Sequence, residues 1–388
     1  MKILFVSAVL PYPLYSGGQI RIYNLLKRLA EKHEIHLYSF IRSDKEKEYL
    51  PKLSFCKKVV TIHRGHAWQP KYVFKTLTGS YPFLWNTYHN SEMQSLLSDE
   101  IVKGQYDLIH IEPGYVWPSI PTEHKIPIVI AEHNIEHEVY AGFAKQFSVA
   151  PLRPFMSLDV AKMAKWEQRS WQQSAGIVAV SEDDKKYISQ YSGGKPVTVV
   201  PNGVDTKLFA FHPKKNFPEK GMIFLYVGNF LWMENRDAAD HIVRDLWPAI
   251  KEKYPEATLR IVGKNAPAGQ YFIGNVQNIQ DELYNADIML APIRIGGGTK
   301  YKLLESMAAG LPVITSFTGA KGMAGADKKQ FLLAESAADV LESIEYLRSD
   351  SQRRTLVQNA RALVEKDYSW ALIASSLDTV WQSAHAGK

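Results

Sequence analysis

The sequence predicts an α/β protein built from two doubly wound, Rossmann-like domains in series. Short apolar, β-branched runs alternate with longer amphipathic stretches, the pattern of parallel strands covered by helices. The 388 residues exceed one ordinary core and fit two domains of roughly 200 residues each. The alternation also restarts after a polar, proline-containing stretch at residues 212–220.

In chain order, the first half reads as strands at 2–7, 34–40, 58–63, 106–112, 128–132, 176–181 and 197–201. Helical patterns such as 20–32 and 158–173 lie between them. The turn Pro201-Asn202-Gly203 closes the first sheet, and its Asn-Gly pair permits a positive φ. The second half supplies strands at 222–227, 257–262, 288–291, 313–316 and 331–333, with the domain boundary between 203 and 220. Apolar positions at helical spacing over 370–381 predict a terminal helix.

With 46% hydrophobic and 22% charged residues the composition is globular. No apolar run reaches the ~18 residues of a membrane-spanning helix. The segment from Met1 to Val9 reads as a strand, not a signal peptide. A single cysteine, Cys56, excludes an internal disulfide and a cysteine-based zinc site, and fits a reducing cytoplasm. Net charge of +6 falls short of a nucleic-acid footprint, so no nucleic-acid partner is expected.

The charge is unevenly spread. Between Phe55 and Ser91 there is no Asp or Glu, yet Lys57, Lys58, Arg64, Lys71 and Lys75 occur among Trp68, Tyr72, Phe74, Tyr81, Phe83, Trp85 and Tyr88. Two readings stand for residues 57–88. Cations beside amphipathic rings suit the inner face of an anionic membrane or a lipid-diphosphate acceptor. Alternatively, the rings are core and the lysines are solvated.

The most informative stretch is 291–315, where an apolar strand runs through a glycine loop into a helix and a second apolar strand. Its glycines let backbone amides approach a ligand, and the helix start adds a positive dipole. Arg294 and Lys302 supply cations suited to a diphosphate. Lys302 and Glu305, three apart, share one helix face, so a phosphate cation lies beside a carboxylate able to accept from sugar hydroxyls. The competing reading is an ordinary strand–turn–helix with charges on a solvated face.

This stretch resembles the retaining glycosyltransferases of family 4, which have the GT-B fold. In that family it reads roughly Pro-x-Arg-x-Gly-x-Gly-Thr-(Arg/Lys)-x-Lys-x-x-Glu-Ala-Met-Ala-x-Gly-x-Pro-Val-(Val/Ile). The match runs over about twenty positions, with Ser306 replacing the usual Ala. The resemblance implies two Rossmann-like domains facing a central cleft, with the C-terminal helix returning to the N-terminal domain. Residues 1–203 plus the helix of about 368–388 become the acceptor-binding domain, and 204–367 the nucleotide-sugar-binding domain. The implied reaction moves a sugar from a UDP- or GDP-linked donor to a glycan or lipid-linked acceptor, without a metal or other cofactor.

Other residues take roles from the same resemblance. Gly17 and Gly18, after the first strand, match the family's Gly-Gly loop facing donor phosphate and sugar, with Arg21 one turn into the helix. His133, in a His-Asn-x-Glu pattern with Asn134 and Glu136, matches the strand-end histidine that contacts the donor sugar. His133 and His137 with neighbouring carboxylates also fit a metal site, although they straddle a strand end and no third ligand is indicated. Val180-Ser181-Glu182-Asp183-Asp184 is explained as a helix cap. Gly228 and Asn229 follow the first strand of the second domain, where backbone can approach the diphosphate. The family's usual Arg and Lys beyond that glycine are replaced by Phe230, Leu231 and Trp232. The phosphate charge therefore falls to Arg294 and Lys302, with Lys264 a further contributor. The first of the family's paired glutamates is also missing, since Gly297 occupies its place. Glu305 is left for the ribose, and backbone amides around Gly297, Gly298 and Thr299 for the donor sugar. Two rivals share the fold: a sugar-nucleotide epimerase, and a catalytically degenerate subunit that binds nucleotide without transferring sugar.

Overall fold

The computed structural model describes all residues except 67, 147–150, 152, 297 and 388, and the side chain of residue 146. The chain forms two compact units, Met1–Pro201 with Ile373–Lys388, and Asn202–Leu372.

The first unit is a seven-stranded sheet in the order β3-β2-β1-β4-β5-β6-β7. Its strands are β1 (Lys2–Ser7), β2 (Glu34–Ile41), β3 (Lys58–His63), β4 (Leu108–Glu112), β5 (Ile128–Ala131), β6 (Gly176–Ala179) and β7 (Val197–Val199). Every pairing is parallel. Strands buried on both faces by helices read as continuous apolar runs, as Ile3–Val6 and Ile128–Ala131 do. The register sets Ser7 beside Glu112, bringing the carboxyl ends of β1 and β4 level. The helix Gly17–Leu29 starts at Ser16, whose hydroxyl accepts from the Gln19 amide, and ends with Lys27 and Arg28 against its negative pole.

The second unit is a six-stranded parallel sheet in the order β10-β9-β8-β11-β12-β13. It comprises β8 (Ile223–Val227), β9 (Thr258–Val262), β10 (Phe272–Gly274), β11 (Ile288–Ala291), β12 (Val313–Thr315) and β13 (Leu332–Leu333). The helix Tyr301–Ala309 joins β11 to β12 and stops at Gly310, whose φ of 85° suits glycine. Ser181 caps the helix Glu182–Tyr191 as expected.

Two sequence readings change. Strand β10 was not anticipated, because three residues at a sheet edge carry too little alternation to register. Gly203 is absent from the positive-φ residues; glycine is needed there because a Cβ would lie 2.8 Å from the Trp370 ring. The polar stretch 212–220 lies within the second unit.

The helix Trp370–Ala386 carries its last part onto the first sheet. Ile373, Leu377 and Trp381 are buried at helical spacing. His33 Nε2 lies 3.0 Å from Asp378 Oδ1, and Trp381 Nε1 donates to His110 Nδ1 at 3.0 Å.

Candidate active site

The expected groups gather at the carboxyl edges of the two sheets, where open α/β sheets present ligand sites. In the first unit the centre is Glu112, the last residue of β4, fully buried. Its Oε1 accepts from Arg21 Nε at 2.7 Å and lies 2.8 Å from His133 Nε2, while Oε2 lies 3.2 Å from His110 Nε2. Burial alone would raise the Glu112 pKa. The Arg21 guanidinium and the two imidazoles outweigh it and hold the carboxyl well below its usual range. His110 shifts down because burial disfavours its cation. A neutral His110 accepting from Trp381 at Nδ1 must carry its proton on Nε2, directed at Glu112. The terminal helix therefore helps fix the carboxylate that orients His133.

His133 is 20% exposed at its side chain, and its free edge faces the glycine loop. A Cβ on Gly18 would come within 3.1 Å of His133 Cε1 and 3.3 Å of Nδ1. Gly17 and Gly18 form the first turn of their helix, where amides lack intrahelical acceptors. The glycine loop and the histidine thus meet. Arg21 does not join them as a ligand contact. It is 1% exposed, with Nε on Glu112 and Nη1 donating to the Pro201 carbonyl at 2.8 Å, so it acts beneath the site as the counter-charge.

The histidine pair does not converge. His137 Nδ1 lies 2.5 Å from Glu167 Oε2 and its Nε2 2.8 Å from the Tyr187 hydroxyl, whereas His133 faces Glu112. Among the described residues no cluster of three or more His, Cys, Asp or Glu is arranged to hold a metal ion. Burial and the neighbouring Glu167 charge raise the half-buried Glu136 to about 8.

In the second unit Gly228, Lys264 and the loop from Arg294 to Lys300 follow β8, β9 and β11, which are sheet neighbours. Gly228 and Gly263 let two strand ends touch. A Cβ on Gly263 (φ 147°) would fall 1.7 Å from the Gly228 carbonyl oxygen. The Lys264 carbonyl accepts from the Phe230 amide at 2.9 Å, tying its turn to the Gly228–Asn229 loop. Asn229 accepts through its carbonyl from Asn235 Nδ2 (3.0 Å) and through Oδ1 from Asn265 Nδ2 (2.9 Å).

Lys302 reaches back to this loop. Its Nζ donates to Asn235 Oδ1 at 2.5 Å and to the Tyr226 hydroxyl at 2.9 Å, and lies over the Tyr226 ring. Burial lowers the ammonium to about 7, against a smaller upward pull from Glu234. Burial likewise raises Glu305, one turn on, to about 7, with Lys302 pulling it down. Both side chains remain half-buried, crowded by protein yet reached by water. Ser306, where the family has Ala, donates its hydroxyl to the Lys302 carbonyl at 2.7 Å and stays within the helix.

Thr299 is buried, with its hydroxyl donating to the Gly322 carbonyl at 3.1 Å and its carbonyl accepting from Asn202 Nδ2 at 3.2 Å. The loop is pressed against Gly322, where a Cβ would lie 3.1 Å from the Gly298 carbonyl carbon. Gly297 lies outside the described residues. Arg294 has a different partner from Lys302. Its Nε and Nη2 form a two-pronged pair with Asp237 at 3.0 and 2.7 Å, which holds its pKa above the ordinary value.

Sequence reasoning missed Glu112, Tyr226 and Asn235 as site residues. Glu112 had a signal, a carboxylate closing the strand-like run Leu108–Ile111 just before Pro113. Tyr226 and Asn235 flank the Gly228–Trp232 stretch, but nothing in their spacing shows that Lys302 reaches both of them.

Two parallel sheets of this topology, with these groups at their carboxyl edges, define a GT-B glycosyltransferase architecture. A sucrose-phosphate synthase structure from Thermosynechococcus elongatus superposes with a TM-score of 0.75 at 17% identity, over 100% of both chains. Anabaena HepE, solved in complex with UDP-glucose, superposes with a TM-score of 0.65 at 16% identity, over 99% of this chain and 100% of that one. Residues 15–208 match the model of Glycosyltransferase Family 4, and residues 221–350 that of Glycosyl transferases group 1. The chain belongs to glycosyltransferase family 4. Among its relatives is the phosphatidyl-myo-inositol mannosyltransferase of Mycobacterium tuberculosis, 23% identical over 306 residues, spanning 73% of this chain and 75% of that protein.

Proposed function

We propose that this protein transfers a sugar, with retention, from a nucleoside-diphosphate sugar to a lipid-linked or polysaccharide acceptor, without a metal ion. The carrying observation is the Lys302–Glu305 pair, one turn apart on one helix at the carboxyl edge of the second sheet, where burial lowers the ammonium and raises the carboxyl, each to about 7. Lys302 takes the leaving diphosphate and Glu305 accepts from ribose hydroxyls. His133, oriented by Glu112, contacts the transferred sugar. The bond from the anomeric carbon to phosphate breaks, the acceptor oxygen bonds to that carbon on the same face, and the acceptor proton passes to the departing phosphate. Catalysis is mostly electrostatic and positional. The UDP-glucose in the Anabaena structure supports a nucleoside-diphosphate donor. The mycobacterial relative, a phosphatidyl-myo-inositol mannosyltransferase, supports a membrane-lipid acceptor, and the proposal places the reaction in the cytoplasm at the inner membrane face.

Proton linkage tests this reading. At about pH 8 free Lys302 is mostly neutral and Glu305 mostly ionised, so a bound diphosphate, favouring the ammonium, draws up a proton. At about pH 6 Lys302 is already charged and Glu305 mostly protonated, so binding that uses its carboxylate releases one. Calorimetric titration of UDP and GDP in buffers of different ionisation enthalpy should show uptake at the higher pH and release at the lower. Heats independent of buffer at both would remove the pair from the nucleotide site.

A further inference from the structure

The basic aromatic stretch divides when folded. Tyr72, Trp85 and Tyr88 are buried, as the core reading requires. Trp68, Phe74 and Leu77 are not, at 81, 67 and 66% exposed, and Val73 is exposed beside them. The helix Pro70–Thr78 turns Tyr72 and Thr76 inward, where the Thr76 hydroxyl accepts from Asn86 Nδ2 at 3.1 Å. At 100° per residue, Val73, Phe74 and Leu77 then occupy the outward face, and Lys71 and Lys75 flank it on one side. Amphipathic helices of globular proteins bury their apolar face; this one presents it to solvent.

A second apolar surface adjoins it. In the helix Arg153–Gln173, Asp159 accepts from the Phe83 amide at 2.9 Å. Lys162 Nζ of the same helix donates to the Thr76 and Gly79 carbonyls at 2.6 and 2.9 Å. Phe155 and Leu158 lie one turn earlier on that face, and both are exposed. The apolar ridge thus continues from one helix to the next.

We infer that this ridge docks on an anionic lipid bilayer, with Trp68, Phe74 and Leu77 entering the interface and Lys71 and Lys75 meeting lipid phosphates. Charge complementarity selects this occupant. No Asp or Glu lies between Phe55 and Ser91, and Lys71 and Lys75 are exposed, whereas Lys58 is taken up by Glu100 at 2.6 Å. Lysines beside an interfacial apolar face attract anionic headgroups, and an exposed Trp suits the water–lipid boundary. The surface deepens the proposed transfer to a membrane lipid, but it stands on its own residues and is tested without sugar transfer.

The test is flotation of the full-length protein with phosphatidylcholine vesicles, with and without about 30 mol % phosphatidylglycerol. Wild type should float with the anionic vesicles, weakly with the neutral ones, and less as salt rises. Lys71→Glu with Lys75→Glu should lower partitioning by about tenfold or more. Trp68→Ser with Phe74→Ser and Leu77→Ser should do the same, while both variants keep the wild-type melting temperature and UDP or GDP binding. Equal flotation of wild type and variants would overturn the inference. So would wild type that ignores anionic vesicles, including a wild type whose dimer the triple substitution dissociates, since a second copy would then cover the ridge. Loss of nucleotide binding with flotation intact would count against the proposed function alone.

Discussion

Glu305→Ala and Lys302→Ala should each lower kcat/KM by about thirtyfold or more, corresponding to about 2 kcal/mol for a lost charge-assisted hydrogen bond. The two residues lie one turn apart in the helix Tyr301–Ala309, at the carboxyl edge of the second sheet. Alanine at 305 removes the acceptor proposed for ribose hydroxyls, so nucleotide affinity should fall with it. Alanine at 302 removes the cation proposed for the departing phosphate, so kcat should fall more than affinity. It also takes the ammonium from Asn235 Oδ1 and the Tyr226 hydroxyl, which it holds at 2.5 and 2.9 Å, and leaves them only their mutual hydrogen bond of 3.0 Å. The Gly228–Asn229 loop that Asn235 braces should loosen accordingly. The double variant should lose less than the sum of the singles, because neighbouring groups serving one ligand are coupled. Steady-state kinetics on the four proteins check this. Wild-type rates from either single variant would remove that residue from the site.

The second large effect concerns folding as well as catalysis. Glu112→Ala should destabilise the first unit by about 3–5 kcal/mol, the range for removing one partner of a buried ion pair. The Arg21 guanidinium would lose its counter-charge in a site it cannot leave, and His110 and His133 would lose their shared acceptor. Glu112→Gln keeps the volume and one acceptor oxygen, so it should cost less stability. It should still reduce turnover, because an amide cannot serve as anion to Arg21 and both imidazoles. His133→Gln gives the contrast: a partly exposed side chain whose loss should lower kcat with little change in the unfolding midpoint. Urea unfolding paired with kinetics on all three variants distinguishes orientation from folding.

Much of this was legible in the chain. The strands 2–7 and 288–291 have the predicted bounds, because a parallel strand buried on both faces leaves an apolar run, and the half-buried edge strand 58–63 has them through its β-branched residues Val59–Ile62. The glycine positions were legible for a related reason, since close approach leaves little room for a side chain at Gly18 and less at Gly228. Partner choice was not legible. Arg21 and Arg294 carry the charge a phosphate needs, but Glu112, 91 residues on from Arg21, and Asp237, 57 residues before Arg294, take them in the fold. Lys302 was readable as a cation but not as one desolvated toward neutrality, because Tyr226 and Asn235 reach it from another strand–loop segment. The aromatic stretch 57–88 stood between two readings for the same reason. One helix there turns Tyr72 inward and Phe74 outward, and only packing decides which.

Thermal unfolding with UDP, GDP, ADP and CMP in the presence of EDTA tests whether the second unit holds a nucleoside-diphosphate site that works through Lys302 and Glu305 without a metal. The melting temperature should rise clearly with UDP or GDP, by much less in Glu305→Ala and by somewhat less in Lys302→Ala. No rise with any of the four, or a rise that appears only when a divalent cation is restored, would contradict such a site.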